Sequence, residues 1–233
     1  MTPVDSPAGI RFENIEKRYG GLYALRRVSL EIAAGECVVL AGRNGSGKTT
    51  LLRIAAGLVR PSSGSVTFLD SGTGPMQGAP KVGFVGHATM VYDELTAEEN
   101  LVLFARLLGI AEPADRAGIL LAEVGLDDRR SSLVRTFSRG MRQRMAIARA
   151  LLNQPEVLLL DEPATGLDPQ GVSWLAETLR RMRDAGHTIV MSLHGESEIS
   201  SLATRAVRLE AGSVMADTRT GGSLSSILTF VGA

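Results

Sequence analysis

Three kinds of apolar pattern run along the chain. Unbroken runs, Cys37-Val38-Val39-Leu40 and Val157-Leu158-Leu159-Leu160, have the pattern of strands buried on both faces of a parallel sheet, and Val82 to Val85 and Thr188 to Met191 read as further strands. Alternation appears at Val28, Leu30 and Ile32 against Ser29 and Glu31. With a turn at Ala34-Gly35, it predicts a hairpin-like pair between this stretch and the strand ending at Leu40. Ile10 to Phe12 and Ser65 to Leu69 read as shorter strands, and a last hairpin turns at Glu210-Ala211-Gly212-Ser213.

Helical spacing takes over from Thr96, where Thr96 and Glu99 form a capping box and Leu101, Phe104 and Leu108 share a face. Ser138 is placed to cap a second helix with the stripe Met141, Met145, Ala148 and Leu152, methionines best read as core packing. Helices from Pro169 to Arg183 and near Glu196 to Leu202 complete a strand and helix alternation, which predicts an α/β fold. The expected organisation is a frayed arm over residues 1–9, one domain over 10–217 with a helical lobe at about 88–153, and a tail over 218–233, mobile from Thr220.

Charge narrows the partners. Lys plus Arg and Asp plus Glu both number 25, and no basic block stands out, so nucleic acid is not expected as the principal partner. The single cysteine, Cys37, lies in a buried strand and excludes an internal disulfide, which fits a reducing cytoplasm. No apolar run approaches the roughly 18 residues needed to span a bilayer. Any work at a membrane is therefore expected through a partner.

The chemistry gathers after the first buried strand, in Ala41-Gly42-Arg43-Asn44-Gly45-Ser46-Gly47-Lys48-Thr49-Thr50. Gly42, Gly47, Lys48 and Thr49 meet the spacing G-x-x-x-x-G-K-[ST] between a strand and a helix. Gly42, Gly45 and Gly47 let the backbone N–H groups of Arg43, Asn44 and Ser46 turn inward around a polyphosphate, at the positive end of the helix dipole. Lys48 reaches the β- and γ-phosphates, and the Thr49 hydroxyl is placed on Mg²⁺, with Thr50 completing the cradle. The competing reading is a tight turn that binds nothing. At the end of the second buried run, Asp161 can hold Mg²⁺ while Glu162 orients and deprotonates a water for attack on the γ-phosphate. A pair that merely caps the strand is the alternative.

With these motifs in this order, the sequence resembles the ATP-binding subunits of ABC transporters from about Ile10 to Asp217. Phe137-Ser138-Arg139-Gly140-Met141 stands where the family signature L-S-G-G-Q belongs, Ala164 to Asp168 resembles the D-loop, and Ser192-Leu193-His194 the switch histidine. The resemblance implies a P-loop fold of the ABC-cassette type, with a mixed sheet core, an N-terminal antiparallel β subdomain and an inserted helical lobe. It implies ATP and Mg²⁺, adenine stacked on Tyr19, His194 at the γ-phosphate, and Ser138 and Gly140 closing the site across a homodimer or paired cassette, with Asp168 among the nucleotide contacts. It further implies a transmembrane permease partner and a peripheral location on the cytoplasmic face of the membrane.

Two departures matter. Arg139 and Met141 replace a glycine and a glutamine of the signature, and the Q-loop has no glutamine: Val85-Gly86-His87-Ala88 stands there, with His87 at the expected place and Ala88 the alternative. A histidine can hydrogen-bond a metal-bound or attacking water and adds a pH sensitivity that glutamine lacks. The Gly-His loop and the arginine-bearing signature look most like the haem-exporter ATP-binding subunit of cytochrome c maturation. Exporters of another lipid, drug or polysaccharide, and a soluble ATPase of iron–sulfur cluster assembly, are the alternatives.

Overall fold

The computed structural model describes residues 7–70, 75–76, 78–193, 198–221 and 223–229. In chain order the strands are β1 (Gly9–Tyr19), β2 (Leu22–Ile32), β3 (Cys37–Ala41), β4 (Ser63–Leu69), β5 (Val82–Val85), β6 (Val157–Asp161), β7 (Thr188–Ser192), β8 (Arg205–Glu210) and β9 (Ser213–Asp217). The helices are α1 (Lys48–Ala55), α2 (Ala97–Leu107), α3 (Pro113–Glu123), α4 (Arg139–Leu151), α5 (Pro169–Asp184) and α6 (Leu224–Thr229).

Strands β3, β6 and β7, buried along their whole length, lie inside a six-stranded sheet of order β5-β6-β7-β3-β8-β9, parallel except for the β8–β9 pair. Their alternate residues serve two cores. Val38 and Leu40 pack with α1 and with Ile10, Phe12, Val28 and Leu30 of a second, antiparallel sheet of order β2-β1-β4. Val39, Leu160 and Met191 pack with Leu101, Leu120, Met145 and Leu175 of the helices.

The hairpin expected between Val28–Ile32 and the strand ending at Leu40 does not form. β2 pairs antiparallel with β1, Phe12 opposite Leu30, while β3 pairs with β7 and β8. The alternation in β2 suits a sheet with one buried face, whereas the unbroken apolar β3 needs cover on both, so the turn at Ala34-Gly35 crosses between sheets. β1 also runs far beyond Phe12. Within the expected arm, Ala8 is fully buried and its carbonyl accepts from Thr188 Oγ1 at 2.7 Å. Toward the other end, a mobile tail was expected from Thr220; instead 224–229 form α6, with Ile227 buried. The helix expected near Glu196 is a 3-10 turn at Ser200–Leu202 among the described residues, and the expected start lies outside them.

Between β5 and β6 the helices α2, α3 and α4 form the lobe. The capping box is present, with Thr96 N–H donating to Glu99 Oε2 at 2.8 Å and Glu99 N–H to Thr96 Oγ1 at 3.2 Å. Asn100, wholly buried, ties down the approach to α2 by accepting from Tyr92 N–H and donating to the carbonyls of Tyr92 and Thr96.

Candidate functional site

The loop between β3 and α1 is built by glycine where nothing else fits. Gly42 has φ 142° and Gly47 φ 110°. A Cβ on Gly42 would lie 2.3 Å from the Leu209 carbonyl oxygen, and one on Gly47 2.8 Å from that of Ala24, so β8 and β2 press on the loop from outside. The loop must therefore curl the other way, around the start of α1. Arg43, Asn44 and Gly45 are exposed at its crest and Ser46 is buried, its Oγ without a hydrogen-bond partner. Outside the crest, between residues 42–46 and 208–211, is an open cavity of about 480 Å³.

Lys48 is 5% exposed, and its Nζ donates to the Gly42 carbonyl at 2.6 Å and the Arg43 carbonyl at 3.1 Å. Burial lowers the ammonium pKa, opposed by the nearby charges of Glu162 and Asp161. A cation held by carbonyls of its own loop, with little water around it, is poised to exchange them for phosphate oxygens.

Parallel pairing delivers the carboxylates. Register sets Asp161 beside Ser192, and Asp161 Oδ1 accepts from Ser192 Oγ at 2.7 Å and from Thr49 Oγ1 at 3.0 Å. This joins α1, β6 and β7 at one oxygen. Mg²⁺ takes few protein ligands, all oxygen, and keeps waters and phosphate oxygens for the rest. The Thr49 hydroxyl and Asp161 carboxylate fit that demand.

Glu162, half-buried, has a left-handed backbone, φ 54°, and its N–H donates to Ser192 Oγ at 3.0 Å. Ser192 thus fixes both acidic residues, a role that sequence reasoning missed. The only signal was a hydroxyl closing an apolar run. Gln143 was missed too: buried on the side of α4 away from the Met141, Met145, Ala148 and Leu152 stripe, its Nε2 donates to the Pro163 carbonyl at 2.9 Å.

His87 follows β5, the neighbour of β6. Val85 pairs with Leu160, so His87 and Glu162 each stand two residues past that last pair, and His87 is exposed. Tyr19 closes β1 and is 51% exposed, with Lys17 Nζ 5.0 Å from its ring centre. Ser138 caps α4, its Oγ accepting from Met141 N–H at 3.2 Å, and Gly140 lies against Gly166. Asp168 caps α5, accepting from Gly171 N–H at 2.7 Å, so its carboxylate already has structural work. His194 lies outside the described residues. The fold therefore brings residues 42–50, Asp161 and Glu162 together, with His87 at the same sheet edge. Tyr19, Ser138, Gly140 and Asp168 stand on other elements.

Residues 25–165 of this arrangement match the ABC transporter family. The chain belongs to that family. The cassette is 37% identical over 216 residues to the Nod factor export ATP-binding protein I of Burkholderia orbicola (strain AU 1054), covering 91% of this chain and 71% of the relative. It is 34% identical over 211 residues to the linearmycin resistance ATP-binding protein LnrL of Bacillus subtilis (strain 168), covering 89% and 68%. A dimeric structure of a post-hydrolysis state of the ATP-binding cassette MJ0796, bound to ADP and Pi, superposes with a TM-score of 0.80 at 29% identity, covering 89% of this chain and 97% of that one. The cassette is accordingly an ATP-binding, ATP-hydrolysing transporter subunit of the ABC fold. Among the described residues no helix is long and apolar enough to cross a membrane.

Proposed function

We propose that the cassette hydrolyses ATP between two copies of itself, or with a paired cassette, at the cytoplasmic face of a membrane, and so drives export through a separate permease. The observation that carries the catalytic part is the Thr49–Asp161–Ser192–Glu162 cluster beside Lys48. Residues 42–47 cradle the phosphates through backbone N–H groups, and Lys48 holds the β- and γ-phosphates. Glu162 accepts the proton of a water attacking in line, and ADP leaves with the charge on its β-phosphate held by Lys48. Thr49 and Asp161 would hold Mg²⁺, which neutralises phosphate charge when bound. Tyr19 stacks on adenine, His87 takes the Q-loop place at the γ-phosphate end, and Ser138, Gly140 and Asp168 belong to the partner-facing surface; the γ-phosphate role of His194 rests on its place in the motif order alone.

A permease contact is supported by a groove between the sheet core and the helical lobe, about 240 Å³ in volume and lined by Leu58, Met90, Phe104, Leu107 and Leu108, with Arg149 in its wall. Leu107 is 72% exposed at its edge. Two readings of the cargo differ in their support. Gly86-His87 and the arginine of the signature favour haem export for cytochrome c maturation. The names of the relatives, Nod factor export and linearmycin resistance, favour an exported compound other than haem.

Gene deletion in the host separates them. For haem export, haem staining should lose covalent c-type cytochromes, and plasmid-borne wild type should restore them while Lys48→Ala does not. Normal cytochromes with loss of another exported compound would select the second reading, and a phenotype rescued equally by Lys48→Ala would sink the ATPase role in either.

A further inference from the structure

The signature arginine touches the loop that carries the proposed base. Arg139 opens α4, and its side chain lies over Gly166: a Cβ there would stand 2.7 Å from Arg139 Cγ, Cδ and Nε. Gly166 has φ 87°, so both its conformation and its surface keep a side chain away. Gly140 stands close to the same residue, 3.2 Å separating a Cβ built on it from the Gly166 carbonyl oxygen. One turn on, Gln143 holds the Pro163 carbonyl. The first two turns of α4 therefore hold this segment at Pro163 and at Gly166.

That segment is tied back to Glu162. Thr165 N–H donates to the Glu162 carbonyl at 3.1 Å and Leu167 N–H to that of Ala164 at 3.1 Å, after which Asp168 caps α5. The segment is thus a chain of linked turns. Glu162 itself is left-handed, a conformation that a residue with a Cβ adopts only where its surroundings impose it. Ser192 imposes it from the sheet side, and the linked turns carry the restraint from α4.

We propose that Arg139 is a positioning residue for hydrolysis in its own subunit: its aliphatic stem, laid on Gly166, latches the signature helix to the turns that hold Glu162 in place. This rests on Glu162 being the base. In a chain where glycine occupied position 139 the grip would rest on Gly140 and Gln143 alone. Here the stem adds a third point of contact, so a shift at the start of α4 reaches the loop behind the base without crossing the subunit interface.

The test compares Arg139→Ala, which removes the stem, with Arg139→Met, which keeps its length and apolar character without the charge. Steady-state ATPase and nucleotide affinity are measured on the full chain. Arg139→Ala should lower kcat roughly five- to fiftyfold, below the hundredfold that a 1 Å misplacement costs, with KM for ATP within about twofold, as expected when only transition-state interactions are lost. Arg139→Met should recover most of that turnover. Gly166→Ala, which displaces the stem, should cost less in the Arg139→Ala background than in wild type, the non-additivity of a shared contact.

Wild-type kcat in Arg139→Ala, additive losses, or recovery by Arg139→Lys but not by Arg139→Met would overturn the latch, the last pointing to a charge contact instead. Glu162→Gln, measured alongside, separates the two layers. Normal turnover there removes the base and the latch with it, whereas a dead Glu162→Gln beside an indifferent Arg139→Ala removes the latch alone.

Discussion

At the scale of single residues, burial and exposure divide the site. Lys48, Ser46 and Asp161 are buried and their geometry is fixed by neighbours, whereas His87 stands exposed at the end of an edge strand. A buried set is legible in sequence because strand, glycines, lysine and hydroxyl must occur at fixed spacing. The hydroxyl of Ser192 was not legible, since its partner Asp161 lies 31 residues away and the pair is made by strand register alone. His87 is the residue whose role the fold leaves most open to test. If it takes the place of a Q-loop glutamine, His87→Ala should lower kcat more than it weakens ATP binding, and His87→Gln should restore most of the loss. Both variants matching wild type in turnover would make it a bystander.

Among elements, local signals are legible, the β8–β9 hairpin turning at Glu210 to Ser213 included, whereas the pairing between β2 and its neighbour is not. The N-caps Thr96 and Ser138 are local chemistry, and both were legible. The partner of β2 was not, because alternation reports one buried face without saying which strand lies beside it. Asn100 and Gln143 were hidden for a related reason: a polar side chain on a helix gains meaning only from the loop carbonyl it meets.

One element junction titrates. At the head of β7, His187 is buried, with Nδ1 2.7 Å from the Pro155 carbonyl and Nε2 without a partner. Burial, only partly opposed by the Pro155 hydrogen bond, holds its pKa below the ordinary value. The unfolded chain therefore binds more protons than the folded one as pH falls through the ordinary histidine range. This contribution to stability is complete above about pH 6.5 and is lost on acidification below it. Urea midpoints should fall between about pH 7 and pH 5 in wild type, and His187→Gln should flatten that slope. An unchanged slope would assign the acid sensitivity to other groups.

For the whole molecule the question is whether one chain makes a complete site. The start of α4 is turned to its own 163–168 segment, with Ser138 exposed, and the related cassette MJ0796 is known as a dimer bound to ADP and Pi. If Ser138 and Gly140 close on the γ-phosphate held by another copy, blocking hydrolysis should trap two chains around two nucleotides. Glu162→Gln keeps the size of the side chain and removes the basic charge, so binding should persist while turnover slows by roughly 10²- to 10⁴-fold. The neutral amide also relieves repulsion against the γ-phosphate, which favours the closed pair. Light scattering with ATP should therefore show a dimer for Glu162→Gln. It should show a monomer once Ser138→Arg is added, because a bulky cation at the cap displaces the hydroxyl from the interface. The monomer must still bind ATP, since Lys48 and residues 42–47 lie in the same chain. A dimer formed without ATP, or one indifferent to Ser138, would mean that the signature does not close the site and that the cassette hydrolyses ATP with the residues of one chain.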